Sequence, residues 1–420
     1  MAVWLYIFKL MSLIFGIFVR PLAYLVPKQC NSVLFIGGDN GQFRDNIKYL
    51  YLHLHRSHQE KFEYYFLTED KEVFRELQIH SLPALLYPKW STVLVMLKAS
   101  IVIVDNLDWI RNLKYYFLVN TYKIQLWHGC SIKSLGLDNA VYKENLKAIR
   151  WRIWYYLQGR FPKYDLFLST SKINSEKIFK PAFLFSKIIE SGYPRNDIFF
   201  STPDSLDLIG TDRTVIGRAK ELKQNQYKTI LYAPTFRDTG FGDDFLDKEA
   251  LNIKELDDFA IKNKILIIFK IHPWRELPVD FTNLNNLVKY SDSGDVYPLL
   301  PLIDLLITDY SSIFFDFLYL NKPIIFFPYD YDKYIREDRS LKYDYNWVTP
   351  GPKCMDQKDL QLCIKKTLFD KKDEYRQKRK AIFDMSFSHK NGSASKHIIE
   401  IIQDEIADLK GDKLYLFNNR

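Results

Sequence analysis

The stretch DLLITDYSSIFFDFLYLNKPIIFFP, residues 304–328, contains two short apolar runs separated by an apolar helical pattern. The runs DLLITD (304–309) and PIIFFP (323–328) have the length and the β-branched and aromatic content of buried strands. Strands that alternate with helices form βαβ units, which build parallel sheets through right-handed crossovers. The stretch therefore predicts an α/β fold.

Similar runs recur along the chain in two series. The first series comprises SVLFIG (32–37), FEYYFL (62–67), SIVIVD (100–105), KIQLW (123–127) and DLFLS (165–169). The second series adds KTILYA (228–233) and ILIIFKI (265–271) to the two runs above. A chain of 420 residues is too long for one ordinary core, so we expect two Rossmann-like domains. The predicted boundaries are an N-terminal helix at 1–28, a first domain at 29–200, a linker at 201–227, a second domain at 228–385 and a helical segment at 386–420 that packs back on the first half.

The composition favours an anionic partner in a reducing compartment. The chain has 59 Lys and Arg against 51 Asp and Glu, a net charge of +8. Its four cysteines lie far apart without a CxxC pair, which argues against a disulfide framework or a structural zinc site. No RRM, KH or zinc-knuckle signature is present, so we expect no nucleic-acid partner.

The N-terminal 28 residues are almost entirely apolar apart from Lys9 and Arg20. The run between these charges has about ten residues, half of what a spanning helix needs, and no cleavage site follows. Lys9, Leu13, Gly16 and Arg20 share one helical stripe, which predicts an amphipathic helix in the membrane interface with its cations reaching toward headgroups. A helix buried against the protein's own core is the alternative, and a tilted spanning helix is a lesser one.

The segment YKENLKAIRWRIWYYLQGRFPKYD (142–165) interleaves basic and aromatic residues. This pattern suits an anionic membrane surface. It equally suits an ordinary surface helix whose aromatic face packs on a sheet.

Polar residues follow several predicted strands, at the sheet edge where α/β proteins bind ligands. They are His128-Gly129, Pro234-Thr235-Phe236-Arg237, His272-Pro273 and Tyr310-Ser311-Ser312. Histidine can act as a general base, arginine can bind pyrophosphate through two hydrogen bonds, and a helix start with serine hydroxyls can bind an anion. These residues predict a phosphate-handling cleft. The alternatives are that Ser311 or Ser312 is only an N-cap and that each histidine is structural.

Five motifs in this order resemble one known family. They are QLWHGCSIKSLG (125–136), SGYPRND (191–197), ILYAPTFRD (230–238), KIHP (270–273) and LITDYSSIFFDFLYLNKPIIFFPYD (306–330). Together with GGDNGQFRDNIKYLY (37–51), they are similar to the CDP-glycerol glycerophosphotransferases of teichoic acid synthesis.

The resemblance implies a GT-B architecture, in which two Rossmann-like domains face an interdomain cleft and the second domain holds most of the donor. It also implies peripheral, monotopic attachment to the cytoplasmic face of a bacterial cell membrane. The implied reaction is attack by an acceptor hydroxyl on the β-phosphorus of CDP-glycerol, with release of CMP. The acceptor would be a lipid-linked glycan or a teichoic-acid or capsule precursor.

The resemblance also implies the site residues. His128 would be the catalytic base, and His272 would support the phosphates or the leaving group. The donor and phosphate would be held by Gly129, Arg195, Thr235, Arg237, Thr308, Asp309, Ser311, Ser312 and Asp316. Acceptor-side residues would be Gly38, Asp39, Gly41, Asp45 and Asn46. Asp309 and Asp316 could equally brace their loop. The family pattern commonly has Thr-Pro where this chain has Cys130-Ser131. We expect no cofactor and no protein-bound metal.

Three alternatives remain at this point: CDP-ribitol as donor, a nucleotide-sugar glycosyltransferase on the same fold, and a non-catalytic membrane-binding subunit. Since the sequence has no obvious extra module for tracking a long chain, it slightly favours priming or short addition.

Overall fold

The chain folds into two compact units. The computed structural model describes residues 2–58, 60–235, 251–271, 279–337, 340–370 and 373–418, with the backbone alone at 2–13, 157, 337 and 408–418. The first unit combines residues 1–128, 135–209 and 388–420, and the second combines 129–134 and 210–387. Each unit is therefore assembled from separate segments of the sequence.

The first unit is built on a parallel sheet of seven described strands. They are β1 (Gln29–Ile36), β2 (Glu63–Thr68), β3 (Ala84–Leu86), β4 (Ala99–Val104), β5 (Tyr122–Gln125), β6 (Lys163–Ser169) and β7 (Leu184–Glu190). Their order across the sheet is β3-β2-β1-β4-β5-β6-β7, and every neighbouring pair is parallel. The chain first adds β2 and β3 on one side of β1, and it then adds β4 to β7 on the other side.

The second unit repeats this winding with five described strands. They are β8 (Lys228–Ala233), β9 (Ile265–Phe269), β10 (Leu287–Lys289), β11 (Leu305–Thr308) and β12 (Ile324–Phe326). The order β10-β9-β8-β11-β12 is again entirely parallel. The predicted α/β class with parallel sheets is confirmed.

Helices connect the strands of both units. In the first unit they are α1 (Ala2–Leu25), α2 (Asp45–His58), α3 (Lys71–Ile79), α4 (Trp90–Lys98), α5 (Lys114–Phe117), α6 (Ala140–Asn145), α7 (Ile149–Leu157), α8 (Lys172–Asn174) and α9 (Lys180–Ala182). In the second they are α10 (Arg213–Gln224), α11 (Ile253–Lys262), α12 (Ile313–Phe317), α13 (Tyr331–Glu337), α14 (Tyr345–Val348), α15 (Gln357–Leu368) and α16 (Arg376–Ser386). Helix α17 (Ala394–Asn418) returns to the first unit.

The predicted strands all exist, and three further strands were missed. β3 and β10 have three residues each, too few for a periodic signal, and every residue of the edge strand β7 is at least partly exposed. The segment 201–227, expected to be a linker, contains the twelve-residue helix α10. Its buried side chains Val215, Ile216 and Ala219 explain why a mostly polar stretch is still helical.

Helix α1 packs against α5, and Gly16 and Arg20 are the described members of the predicted stripe. A Cβ on Gly16 would lie 2.2 Å from the Tyr116 ring, so only glycine allows this approach. The Arg20 guanidinium lies over the rings of Tyr115 and Tyr156, at 5.6 and 5.3 Å from their centroids. Arg20 is partly buried and is held by aromatic rings, and its contact with headgroups stays a prediction. No helix in the described part of the chain has the length and apolar character needed to cross a membrane.

Helix α17 is capped by a side chain from a distant part of the first unit. The carboxylate oxygens of Asp197 accept hydrogen bonds from the backbone N–H groups of Ala394 and Ser395, at 3.0 and 2.8 Å. The helix then buries Ile398, Ile399 and Ile402 in the same core as α2. The cap therefore fixes where the returning helix begins.

We expect Asp197→Ala to lower the free energy of unfolding by about 1–2 kcal/mol, because two helix N–H groups lose their acceptor. Urea denaturation measures this change. Asp280→Ala is the matched control, since Asp280 caps an exposed helical turn of three residues, Phe281–Asn283. An equal loss in both variants would mean that the Asp197 cap has no special importance.

Candidate active site

The strand order changes direction between β1 and β4 in the first unit and between β8 and β11 in the second. Loops that leave two such strands turn to opposite sides of the sheet, which opens a crevice at the carboxyl ends. Gly38 and Asp39 follow β1, and Thr235 follows β8. The topology thus brings the predicted residues of each unit to one edge of its own sheet.

The loop after β1 is a tight turn whose backbone angles and close packing suit the residues at these positions. The Gly41 N–H donates to the Gly38 carbonyl at 2.9 Å, and both central residues, Asp39 and Asn40, have positive φ angles of 48° and 64°. Asp and Asn tolerate this conformation best among non-glycine residues. A Cβ on Gly38 would lie 2.7 Å from the side-chain nitrogen of Asn106. The turn is therefore packed directly against the loop that follows β4.

His128 lies three residues beyond β5, and its ring has a defined proton position. Its Nδ1 is 3.0 Å from the backbone carbonyl oxygen of Asp105. A carbonyl can only accept, so Nδ1 carries the proton in the neutral ring and Nε2 keeps the lone pair. The residue is exposed to solvent, and its ring lies against Trp127 at a tilt of 32° with a centroid distance of 4.3 Å. This arrangement leaves Nε2 as the basic nitrogen of the ring.

The surroundings of His128 favour its neutral form. The dense shell of protein atoms around the ring lowers its pKa below the usual value. The negative charge of Asp45 and the hydrogen bond to Asp105 oppose this shift, and the positive charge of Arg195 adds to it. A histidine with a lowered pKa remains able to accept a proton at neutral and mildly acidic pH.

The sequence interpretation missed Asp105, the residue that orients His128. Its carboxylate accepts hydrogen bonds from the Ile47 N–H at 3.2 Å and from the Asn106 side chain at 2.6 Å. Burial, followed by the charge of Asp45, raises the pKa of Asp105 to about 8. The available signal was its place as the last residue of SIVIVD, directly at a strand's carboxyl end.

Arg195 and Asn46 do not lie where the predicted roles require. The Arg195 side chain is buried, and its Nη1 donates to Asp45 at 2.9 Å and to the backbone carbonyl of His128 at 2.8 Å. Asn46 is fully buried and donates to the Trp127 carbonyl at 2.6 Å. The buried positions therefore correct two predictions, that Arg195 binds phosphate and that Asn46 contacts the acceptor. Both side chains hold the backbone around His128.

The departure at Cys130-Ser131 has a local structural role. Gly129, with a φ of 146°, begins a segment that belongs to the second unit. The Ser131 hydroxyl accepts from the Lys133 N–H at 3.0 Å and lies 3.0 Å from the Lys133 carbonyl, while Cys130 is buried. The Ser131 hydroxyl thus stabilises a turn of its own segment.

In the second unit, Asp309 braces the loops that follow β8 and β11. Its Oδ1 accepts from the backbone N–H groups of Thr235 at 2.7 Å and Tyr310 at 2.5 Å. The Thr308 hydroxyl donates to the Ala233 carbonyl at 2.7 Å and is fully buried. The Thr308 side chain therefore links β11 to β8 by a hydrogen bond. The prediction that Thr308 binds phosphate is corrected.

Ser311 and Ser312 are half-buried at the start of α12. Ser312 occupies the N-cap position but makes no side-chain cap hydrogen bond, so the N-cap interpretation fails for its hydroxyl. Helix α12 has only five residues, which weakens the expected helix-dipole contribution. Asp316 is buried and accepts from the Tyr297 hydroxyl at 3.2 Å. Asp316 therefore acts as a brace.

Two predicted residues, Arg237 and His272, lie outside the described residues. Within the described ranges, no cluster of three His, Cys, Asp or Glu side chains is arranged to hold a metal ion.

Comparison with known proteins identifies relatives along most of the chain. The family model described as CDP-Glycerol:Poly(glycerophosphate) glycerophosphotransferase matches residues 18–404. A teichoic acid poly(glycerol phosphate) polymerase of Bacillus spizizenii is 27% identical over 93% of this chain and 96% of its own length. A teichoic acid glycerol-phosphate transferase of Staphylococcus aureus is 29% identical over 89% of this chain and 92% of its own. The fold is similar to that of the wall teichoic acid polymerase TagF, with a TM-score of 0.71, 24% identity, and coverage of 93% of this chain and 94% of that one.

We expect Asp309→Ala to lower the free energy of unfolding by about 2–3 kcal/mol, because two buried N–H groups lose their acceptor. Thermal or urea denaturation of the purified variant measures the loss. Asp309→Asn is the matched control, since its side-chain carbonyl can still accept at the Oδ1 position. If both variants were as stable as the parent, the bracing role of Asp309 would be wrong.

Proposed function

This chain belongs to the CDP-glycerol:poly(glycerophosphate) glycerophosphotransferase family, and we propose that its first unit supplies the catalytic base and the acceptor contacts while its second unit holds the donor. It transfers glycerol phosphate from CDP-glycerol to a hydroxyl group of a teichoic acid precursor and releases CMP. The observation that carries the site assignment is the orientation of His128 by a backbone carbonyl.

The proposed reaction is one in-line displacement at phosphorus. The acceptor oxygen forms a bond to the β-phosphorus of CDP-glycerol while its proton moves to Nε2 of His128. The bond between the β-phosphorus and the bridging oxygen breaks, and CMP departs with that oxygen. The fixed Nδ1 proton supports this role, because it leaves Nε2 as the basic atom.

The proposed donor contacts are the hydroxyls of Ser311 and Ser312, together with Arg237. Their support is the half-buried position of the two serines at the strand-order reversal of the second unit. His272 retains its proposed role toward the leaving group. On the acceptor side, Asp39 is proposed as a contact because its carboxylate lies on the turn after β1 and remains 28% exposed beside Arg44.

The test is CMP release from CDP-glycerol, with membrane-lipid extract as acceptor. We expect His128→Ala to lower the rate by about 10²- to 10⁴-fold, the usual contribution of a general base. His80→Ala, at the end of α3, serves as the matched control and should retain the parent rate.

Parallel reactions with CDP-ribitol and nucleotide sugars test the donor. CMP formed from CDP-glycerol in preference to CDP-ribitol supports the assignment. A glycosidic product with release of a nucleoside diphosphate would contradict it. An unchanged rate in His128→Ala would instead contradict the assignment of the base.

As the pH is lowered, kcat/KM should fall with a midpoint below pH 6.5, the usual pKa of histidine. We call this fall the acid limb. The pKa of His128 is lowered mainly by its protein surroundings, so the ring loses its basic form only at lower pH. A pH–rate profile from pH 5 to 8 measures this limb. Because kcat/KM reports the free enzyme, a limb at or above the usual histidine value would show that another group controls the rate.

We propose peripheral attachment to the cytoplasmic face of a bacterial membrane, with the apolar face of α1 as the contact. The exposed apolar residues of α1 are Ile14, Phe15, Ile17, Phe18, Leu22 and Leu25. On α7, Ile149, Ile153 and Tyr156 are exposed along one stripe, and Arg20 joins the two helices by its position over Tyr156. An apolar surface bordered by Arg150 and Arg152 suits anionic lipid.

Phe18→Asp combined with Leu22→Asp should reduce binding to vesicles containing anionic lipid by about 100- to 1,000-fold, because each side chain loses about 2 kcal/mol of apolar burial. Vesicle flotation measures the bound fraction. Ile79→Asp is the control, since Ile79 is exposed on α3 to a similar degree. Unchanged flotation would exclude α1 as the main contact, and Ile153→Asp would then test α7.

The length of the chain does not favour priming over polymerisation. The Bacillus spizizenii relative, described as a polymerase, aligns over 96% of its own length with this chain. A polymerising relative of similar size removes the argument that a separate tracking module is needed.

A further inference from the structure

The backbone that carries His128 adopts an unfavourable conformation. Trp127 has a φ of 57° and Gly129 a φ of 146°. A bulky residue such as tryptophan rarely occupies the left-handed region, and it persists there only when its surroundings impose the conformation. Something other than local preference must therefore hold this turn.

Two buried side chains hold consecutive carbonyls of the turn. Asn46 Nδ2 donates to the Trp127 carbonyl at 2.6 Å, and Arg195 Nη1 donates to the His128 carbonyl at 2.8 Å. Asn46 is fully buried and Arg195 is 1% exposed, so neither bond competes with bulk water. Both carbonyls are thereby held by buried donors.

Asn46 and Arg195 also form a hydrogen bond with each other. The Arg195 backbone N–H donates to the side-chain oxygen of Asn46 at 3.3 Å, and the guanidinium is paired with Asp45 at 2.9 Å. Asp45 and Asn46 begin α2, whereas Arg195 lies in the helical turn Pro194–Phe200. The loop of hydrogen bonds therefore links two distant elements to the turn at His128.

We propose that Arg195 and Asn46 are positioning residues that fix the His128 backbone so that Nδ1 meets the Asp105 carbonyl and Nε2 is presented to the acceptor hydroxyl. The side chain of a histidine follows its own backbone, so a turn that relaxed would withdraw Nδ1 from that carbonyl. Neither residue touches the substrate in this role. The proposal rests on the proposed function of His128 as the base.

The ring tautomer reports the positioning directly, without any turnover. An unconstrained neutral imidazole prefers the proton on Nε2, whereas the Asp105 carbonyl requires it on Nδ1. Nitrogen NMR of histidine-labelled protein distinguishes the two forms from their ring shifts. The chain has eight histidines, and the spectrum of His128→Ala identifies the signal of His128.

We expect Asn46→Ala and Arg195→Gln to shift His128 toward the Nε2–H tautomer and to lower kcat by about 10- to 100-fold, as expected for a misplaced catalytic group. KM for CDP-glycerol should stay near the parent value, because neither residue contacts the donor. Arg56→Gln is the control. Arg56 pairs with Asp204 and Asp207 in the same unit and bonds neither carbonyl of the turn.

The outcomes separate this proposal from the proposed function. A shifted tautomer with a lowered kcat supports both. A shifted tautomer with unchanged kcat supports the positioning and contradicts the role of His128 as base. A parent-like Nδ1–H signal in Asn46→Ala overturns the positioning proposal, whatever happens to kcat. Asn46→Ala removes no charge, so it decides the matter even if Arg195→Gln does not fold.

Discussion

The reversal of strand order in each sheet is the constraint on which the rest of the molecule depends. Because all described pairs are parallel, every strand ends at the same edge of its sheet. Because β1 and β4 lead away in opposite directions, the loops after them diverge and leave room between them. At the bases of these loops, the Gly38–Gly41 turn lies against Asn106 of the loop that follows β4. The second unit repeats the arrangement with the residues after β8 and β11.

The sequence predicted the fold well because buried parallel strands have a strong local signal. Runs such as SIVIVD and ILIIFKI are apolar on both faces, as helices on both sides of the sheet require. The identity of His128 as a sheet-edge residue was predictable for the same reason. The roles of Arg195, Asn46 and Thr308 were not, because each depends on a partner that is distant in sequence. Arg195 and His128 are 67 residues apart, and no local pattern tells a buried arginine from one that binds phosphate.

The orientation of His128 depends on a main-chain acceptor rather than on a side chain. In many catalytic pairs a carboxylate orients the histidine, and a single substitution removes it. Here the acceptor is the backbone carbonyl of Asp105, which every residue at that position would retain. Substitutions can therefore disturb this orientation only by changing the backbone conformation near His128. The buried polar residues that maintain this conformation are important for that reason. Asn46 and Arg195 are buried and bond to backbone carbonyls for this reason.

The segmented composition of the two units limits how the chain can be divided. The first unit needs residues 135–209 and the returning segment from 388 onward, while the second unit includes 129–134. A cut near residue 210 would therefore yield one fragment without α17 and another without the turn after His128. Such a cut would remove from the first unit the α17 residues Ile398, Ile399 and Ile402, which lie in its hydrophobic core.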